Sequence, residues 1–82
     1  MELEAKIEGL LFYKGEDITV KKLSELFDVP LDSVNEALEK LSLSLKDRGI
    51  VLVRKDDAVL LGINGELASV IESIRKDEIT KE

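Results

Sequence analysis

The chain has 82 residues, 44% apolar and 37% charged, enough for one hydrophobic core and too few for two, so a single domain is expected. Cysteine and histidine are both absent, which removes disulfides, sulfur-ligated zinc, thiolate nucleophiles and the commonest general base; no catalytic residue, cofactor or metal site is expected, and the chain does not read as an enzyme. Eighteen carboxylates against twelve basic groups give a net charge of −6, a field that repels phosphate backbones, so strong direct DNA binding is not expected.

From Met1 to Lys14 the residues Leu3, Ile7, Leu10 and Leu11 recur at helical spacing, and Lys14-Gly15 ends the run where a left-handed cap is wanted. After a turn at Gly15 to Asp17, Ile18-Thr19 supplies either a two-residue strand or the entry to a second helix capped by Thr19. That helix runs to about Phe27 and is expected to bury Val20, Leu23, Leu26 and Phe27. Asp28-Val29-Pro30 connects it to a third helix with the stripe Leu31, Val34, Leu38, Leu41 and Leu45, for which Gly49 provides the stop. Two β-prone runs, Ile50 to Lys55 and Ala58 to Ile63, flank Asp56-Asp57 and read as a hairpin. Asn64 then caps a fourth helix with the stripe Leu67, Val70, Ile71 and Ile74. No apolar run exceeds four residues, and the opening Met-Glu-Leu-Glu lacks the basic start of a secretory signal, so a cytoplasmic protein without a membrane span is expected.

This order predicts an α+β fold, a winged helix-turn-helix with a three-helix core, a two-stranded wing and one further C-terminal helix. The domain is expected over residues 1–75, with a charged, frayed tail over 76–82.

The segments that run from Ile7-Glu8-Gly9-Leu10-Leu11-Phe12 through the Lys14-Gly15-Glu16 turn and a leucine- and glutamate-rich second helix resemble the amino-terminal half of segregation and condensation protein B. So do a long third helix ending at Arg48-Gly49-Ile50 and the valine-rich wing that follows. The resemblance covers nearly the whole chain, and its specificity lies in the order and spacing of these elements. It implies an accessory subunit of the SMC chromosome condensation and segregation complex, which is nucleoid-associated through that complex, dimerises and grips the central part of the kleisin subunit. The family carries a second winged helix after the first and shares its kleisin surface between the two, whereas this sequence stops at Glu82; self-association is therefore the first property the resemblance implies.

The surface chemistry points the same way. Between Asp32 and Arg48 the third helix carries four acids against three bases, and the wing tip Arg54-Lys55-Asp56-Asp57 is neutral, so neither the recognition face nor the clamp of a DNA reader is present. A small DNA-binding transcriptional regulator is the alternative that fold analogy favours, and a stand-alone homodimer is a third reading. Three apolar features lie where a core needs none. Leu43 sits about 180° from the middle of the buried stripe, at about 100° per residue. Ala5, Gly9 and Phe12 stand at steps of four and three on a flank away from Ile7 and Leu10, a small-residue groove ending in a ring; the alternative is that Phe12 folds under the wing. The wing is apolar on both faces, so a second cover, either helix four or a partner, is needed. The candidate protein interface is Ala5, Gly9, Phe12, Tyr13, Leu43, Val51, Val53 and Leu61.

Overall fold

Helix α1 covers Leu3–Lys14 and ends as its sequence requires, with Gly15 at φ 71° donating its N–H to the Leu11 carbonyl. Glycine adopts this left-handed cap without the clash a Cβ would bring. A computed structural model describes the backbone of residues 1–80 and the side chains of residues 1–76. Strand β1, Ile18–Thr19, leads directly into α2, Val20–Phe27, and the two readings of this dipeptide are both realised: Thr19 pairs with Ala58 in the sheet while its hydroxyl accepts the Lys22 N–H at 3.0 Å.

Helix α2 stops at Asp28, which enters the left-handed region at φ 54°. The Ser24 hydroxyl donates to the Val29 carbonyl at 2.5 Å and pins the connector, and Pro30 precedes α3, Leu31–Ser44. Here the structure shortens an expectation: α3 ends at Ser44 and not near Gly49. Leu45 is its buried cap, and Asp47 at φ 68° reverses the chain in a turn closed by the Arg48 N–H on the Leu45 carbonyl. Leu45 therefore still packs in the core, as its helical phase required, although the helix has ended.

Strands β2, Ile50–Lys55, and β3, Ala58–Ile63, form the wing around Asp56, whose φ of 54° suits a tight hairpin turn. The sheet is antiparallel in the order β1-β3-β2, with Ile50 opposite Ile63 and Lys55 opposite Ala58. Asn64 staples the exit of the wing. Its N–H donates to the Gly49 carbonyl at 2.8 Å, its Nδ2 donates to the Arg48 carbonyl at 2.8 Å, and its Oδ1 accepts the Glu66 N–H at 2.9 Å. That last bond caps a 3-10 turn over Gly65–Leu67, so the fourth helix, α4, begins only at Ala68 and runs to Thr80, past the boundary expected at residue 75. Residues 81 and 82 lie outside the described residues.

Ile7, Leu11, Ile18, Leu23, Val34, Leu38, Leu41 and Val59 meet at the centre, where α1, α2 and α3 close against β3. Burying each Leu, Ile or Val side chain contributes roughly 1.5–3 kcal/mol, so this cluster carries the fold. The arrangement is the expected winged helix, with a three-stranded sheet. Two leucines assigned to the core lie outside it. Leu26 sits on the flank of α2, whose inner side is taken by Leu23, and Leu31 occupies the first position of α3, a turn before the first buried residue, Val34; both are exposed. The stripe of α4 is likewise largely uncovered, with Val70 55% and Ile74 51% exposed.

Candidate protein-interaction surface

Helix α1 carries apolar residues on its outer as well as its inner side, which a surface helix with one buried face has no reason to do. Ile7 and Leu11 face inward and are buried. On the opposite side Ala5, Gly9 and Phe12 follow one another along the helix, and Phe12 is 81% exposed, so it does not fold under the wing. A Cβ placed on Gly9 would meet nothing within 4 Å, so the shallow track between Ala5 and Phe12 is open to a second backbone.

Tyr13 is 86% exposed but belongs to a different surface. Turned one residue around the helix, it joins Leu10, Ile18 and Leu26 along an open groove of about 480 Å³ between the end of α1, β1 and the outer flank of α2. Lys14, Lys22 and Asp17 stand at its sides.

The remaining predicted positions occupy two more places. Leu43 projects from the outer face of α3 and is 74% exposed, as its phase required. Val51 and Val53 share one face of β2, and the Val53 side chain leans diagonally over Gly62, the register partner of Val51, so closely that a Cβ there would come within 2.7 Å of its Cγ2. Leu61 pairs with Leu52 on the other face, and both pack against the core. All three wing residues are half-buried. The eight residues thus fall on the back of α1, the α1–α2 groove, the outside of α3 and the two faces of the wing.

Sequence reasoning missed the contribution of Leu26 to the groove and the exposure of the α4 stripe. A signal for the first was available: an eight-residue helix that already points Val20, Leu23 and Phe27 one way must turn a fourth apolar residue to its flank. For the second there was none, since a regular stripe says nothing about what covers it.

The face that reads bases in DNA-binding winged helices is differently furnished. Asp32, Glu36 and Glu39 are exposed along α3, and its one amide, Asn35, accepts the Arg54 Nη2 at 3.2 Å. The side chain most suited to a base edge and the arginine of the wing thereby occupy each other. Among the described residues no helix is long and apolar enough to cross a membrane.

Comparison with known proteins is consistent across sequence and structure. Residues 5–82 match the family described as segregation and condensation complex subunit ScpB. The chain is 33% identical to segregation and condensation protein B of Oceanobacillus iheyensis, over 89% of this chain and 40% of that protein. It is 37% identical to the protein of the same description from Halalkalibacterium halodurans, over 89% of this chain and 39% of that one. It therefore spans about two fifths of the length of these relatives. Among solved structures, a ScpB N-terminal domain, crystallised as a dimer complexed with a ScpA peptide, superposes with a TM-score of 0.79 at 24% identity, covering 87% of this chain and 91% of that one. ScpB from Mycobacterium tuberculosis superposes with a TM-score of 0.84 at 22% identity over 95% of this chain and 50% of that one.

Proposed function

Since the chain belongs to the ScpB family of segregation and condensation complex subunits, we propose that it is a non-catalytic interaction domain that pairs with a second copy of itself and holds a segment of the kleisin subunit, ScpA. It would act in the cytoplasm, associated with the nucleoid through the SMC complex. The observation that carries this reading is the apolar back of α1, where Phe12 stands 81% exposed at the end of a track opened by Ala5 and Gly9. A two-fold interface uses the same patch on both partners, so every contact counts twice. Covering one Phe ring contributes roughly 1.5–3 kcal/mol before the cost of association is subtracted, which places a dimer built on this patch in the weak to moderate range.

The dimer ascribed to the structural relative with its ScpA peptide supports the same pairing and the same partner. The acidic α3 and the Asn35–Arg54 contact favour this reading over that of a DNA-binding regulator. Sedimentation equilibrium from low to high micromolar concentration tests the pairing, and co-purification with cognate ScpA tests the capture. Dimer formation and a stoichiometric complex are expected; a strict monomer that leaves ScpA unbound would sink the reading.

A further inference from the structure

The groove between α1, β1 and α2 differs in kind from the back of α1, and on the reading above we infer that it is the seat of the captured kleisin segment, which it selects for apolar anchors flanked by carboxylates. The groove is about 480 Å³, within the range of about 300–1,000 Å³ typical of pockets that hold small ligands. Its floor is Ile18, buried in the core, so the floor is rigid; its walls are Leu10, Leu26 and Tyr13, of which Leu26 is 52% and Tyr13 86% exposed. Such walls gain by being covered, and among the described residues they stand open to solvent.

Charge identifies what covers them. The chain carries −6 overall, yet the sides of this groove present two lysines, Lys14 and Lys22, against one aspartate, Asp17. Thr19 already accepts the Lys22 N–H with its hydroxyl and the Tyr13 phenol is neutral, so the two ammonium groups give the groove its positive excess. On the back of α1 the charges beside the track cancel, with Glu8 one turn from Phe12 and Lys6 one turn from Gly9, so that face offers an acidic segment no net attraction. An acid-flanked apolar segment therefore gains in the groove a charge attraction that the pairing face does not offer, which lets one small domain use both surfaces at once.

Fluorescence anisotropy on the full 82-residue chain tests this. Labelled peptides tiling cognate ScpA are titrated first, and the tightest is remade with its carboxylates replaced by lysine. In the parent, Leu26→Asp and the double variant Lys14→Glu/Lys22→Glu are each expected to weaken the native peptide by about tenfold or more at low salt. The lysine effect should shrink as salt rises toward about 0.5 M, where exposed charges are screened, and the Leu26 effect should persist. The charge-inverted peptide should bind the double variant better than the parent. Circular dichroism confirms folding of each variant, and Tyr13→Ala provides a further apolar truncation outside the core. If the parent binds the peptide and the Leu26 and lysine variants bind it equally well, the groove assignment is overturned while kleisin capture stands. If the parent binds neither the peptides nor whole ScpA, capture itself falls and the groove assignment with it.

Discussion

Helices α1 and α3 pack against each other in the core, yet their exteriors are opposites. The outside of α3 is charged with one leucine, Leu43, among Asp32, Glu36 and Glu39; the outside of α1 is a track of small residues ending in Phe12. In a DNA-reading winged helix the specificity of the domain resides on the outer face of the recognition helix. Here that face is acidic and its amide is engaged by the wing, while the unexplained apolar surface has moved to α1. Fold alone would assign the work to α3, and the distribution of exposed side chains is the ground on which we propose α1 instead.

The sharpest way to break this contrast is to compare residues of the same type on opposite sides of a helix. Leu38→Ala removes a fully buried side chain from the middle of α3 and should cost about 2–5 kcal/mol of unfolding free energy, read as a lower denaturant midpoint. Leu43→Ala, five residues along the same helix, should leave the midpoint within about 0.5 kcal/mol of the parent.

Phe12→Ala carries the contrast to α1. Association is expected to weaken by about 1 kcal/mol or more with stability unchanged within about 0.5 kcal/mol. Unfolding as easy as that of Leu38→Ala would return Phe12 to the core and remove the pairing face. A smaller and opposite-signed effect comes from Gly9→Ala. The added methyl meets nothing within 4 Å among the described residues and replaces the poorest non-proline helix former by the best, so stability should rise by about 0.5–1 kcal/mol. The same methyl stands in the track a second helix must approach, so dimerisation should weaken; a variant that is more stable and pairs as well as the parent would place the contact elsewhere. The smallest effect is expected on duplex DNA, where gel-shift titration should find only weak, salt-sensitive binding without sequence preference, and submicromolar selective binding would restore α3 as the working face.

How far the site could be read in advance depended on whether phase or partnership was in question. The exposure of Leu43 followed from 100° steps around a helix; the same arithmetic put Phe12 on the outer flank but left open its folding under the wing, which the structure excludes. The wing was harder: its two apolar faces were evident, but Leu61 belongs with Leu52 on the core side, opposite to Val51 and Val53, and only the strand register separates them. Leu26 was harder still. It shares the composition and spacing of core leucines, and its place on the wall of a groove depends on how α2 leans against α1 and β1.

Three kinds of local signal were thus sufficient in the sequence itself: the glycine and threonine caps at Gly15 and Thr19, the hairpin around Asp56-Asp57, and the inward stripes from Ile7 through Leu45 with Leu26 and Leu31 excepted. Each is settled within a few residues, by backbone sterics, by a hydroxyl three positions from an N–H, or by helical period. What lay beyond their reach was the end of α3 at Ser44, the uncovered stripe of α4 and the groove beside Lys14 and Lys22. Those features depend on how whole elements pack against one another, where the winning arrangement is the one that buries most apolar surface overall, and only the packed structure shows which side chains that arrangement left outside.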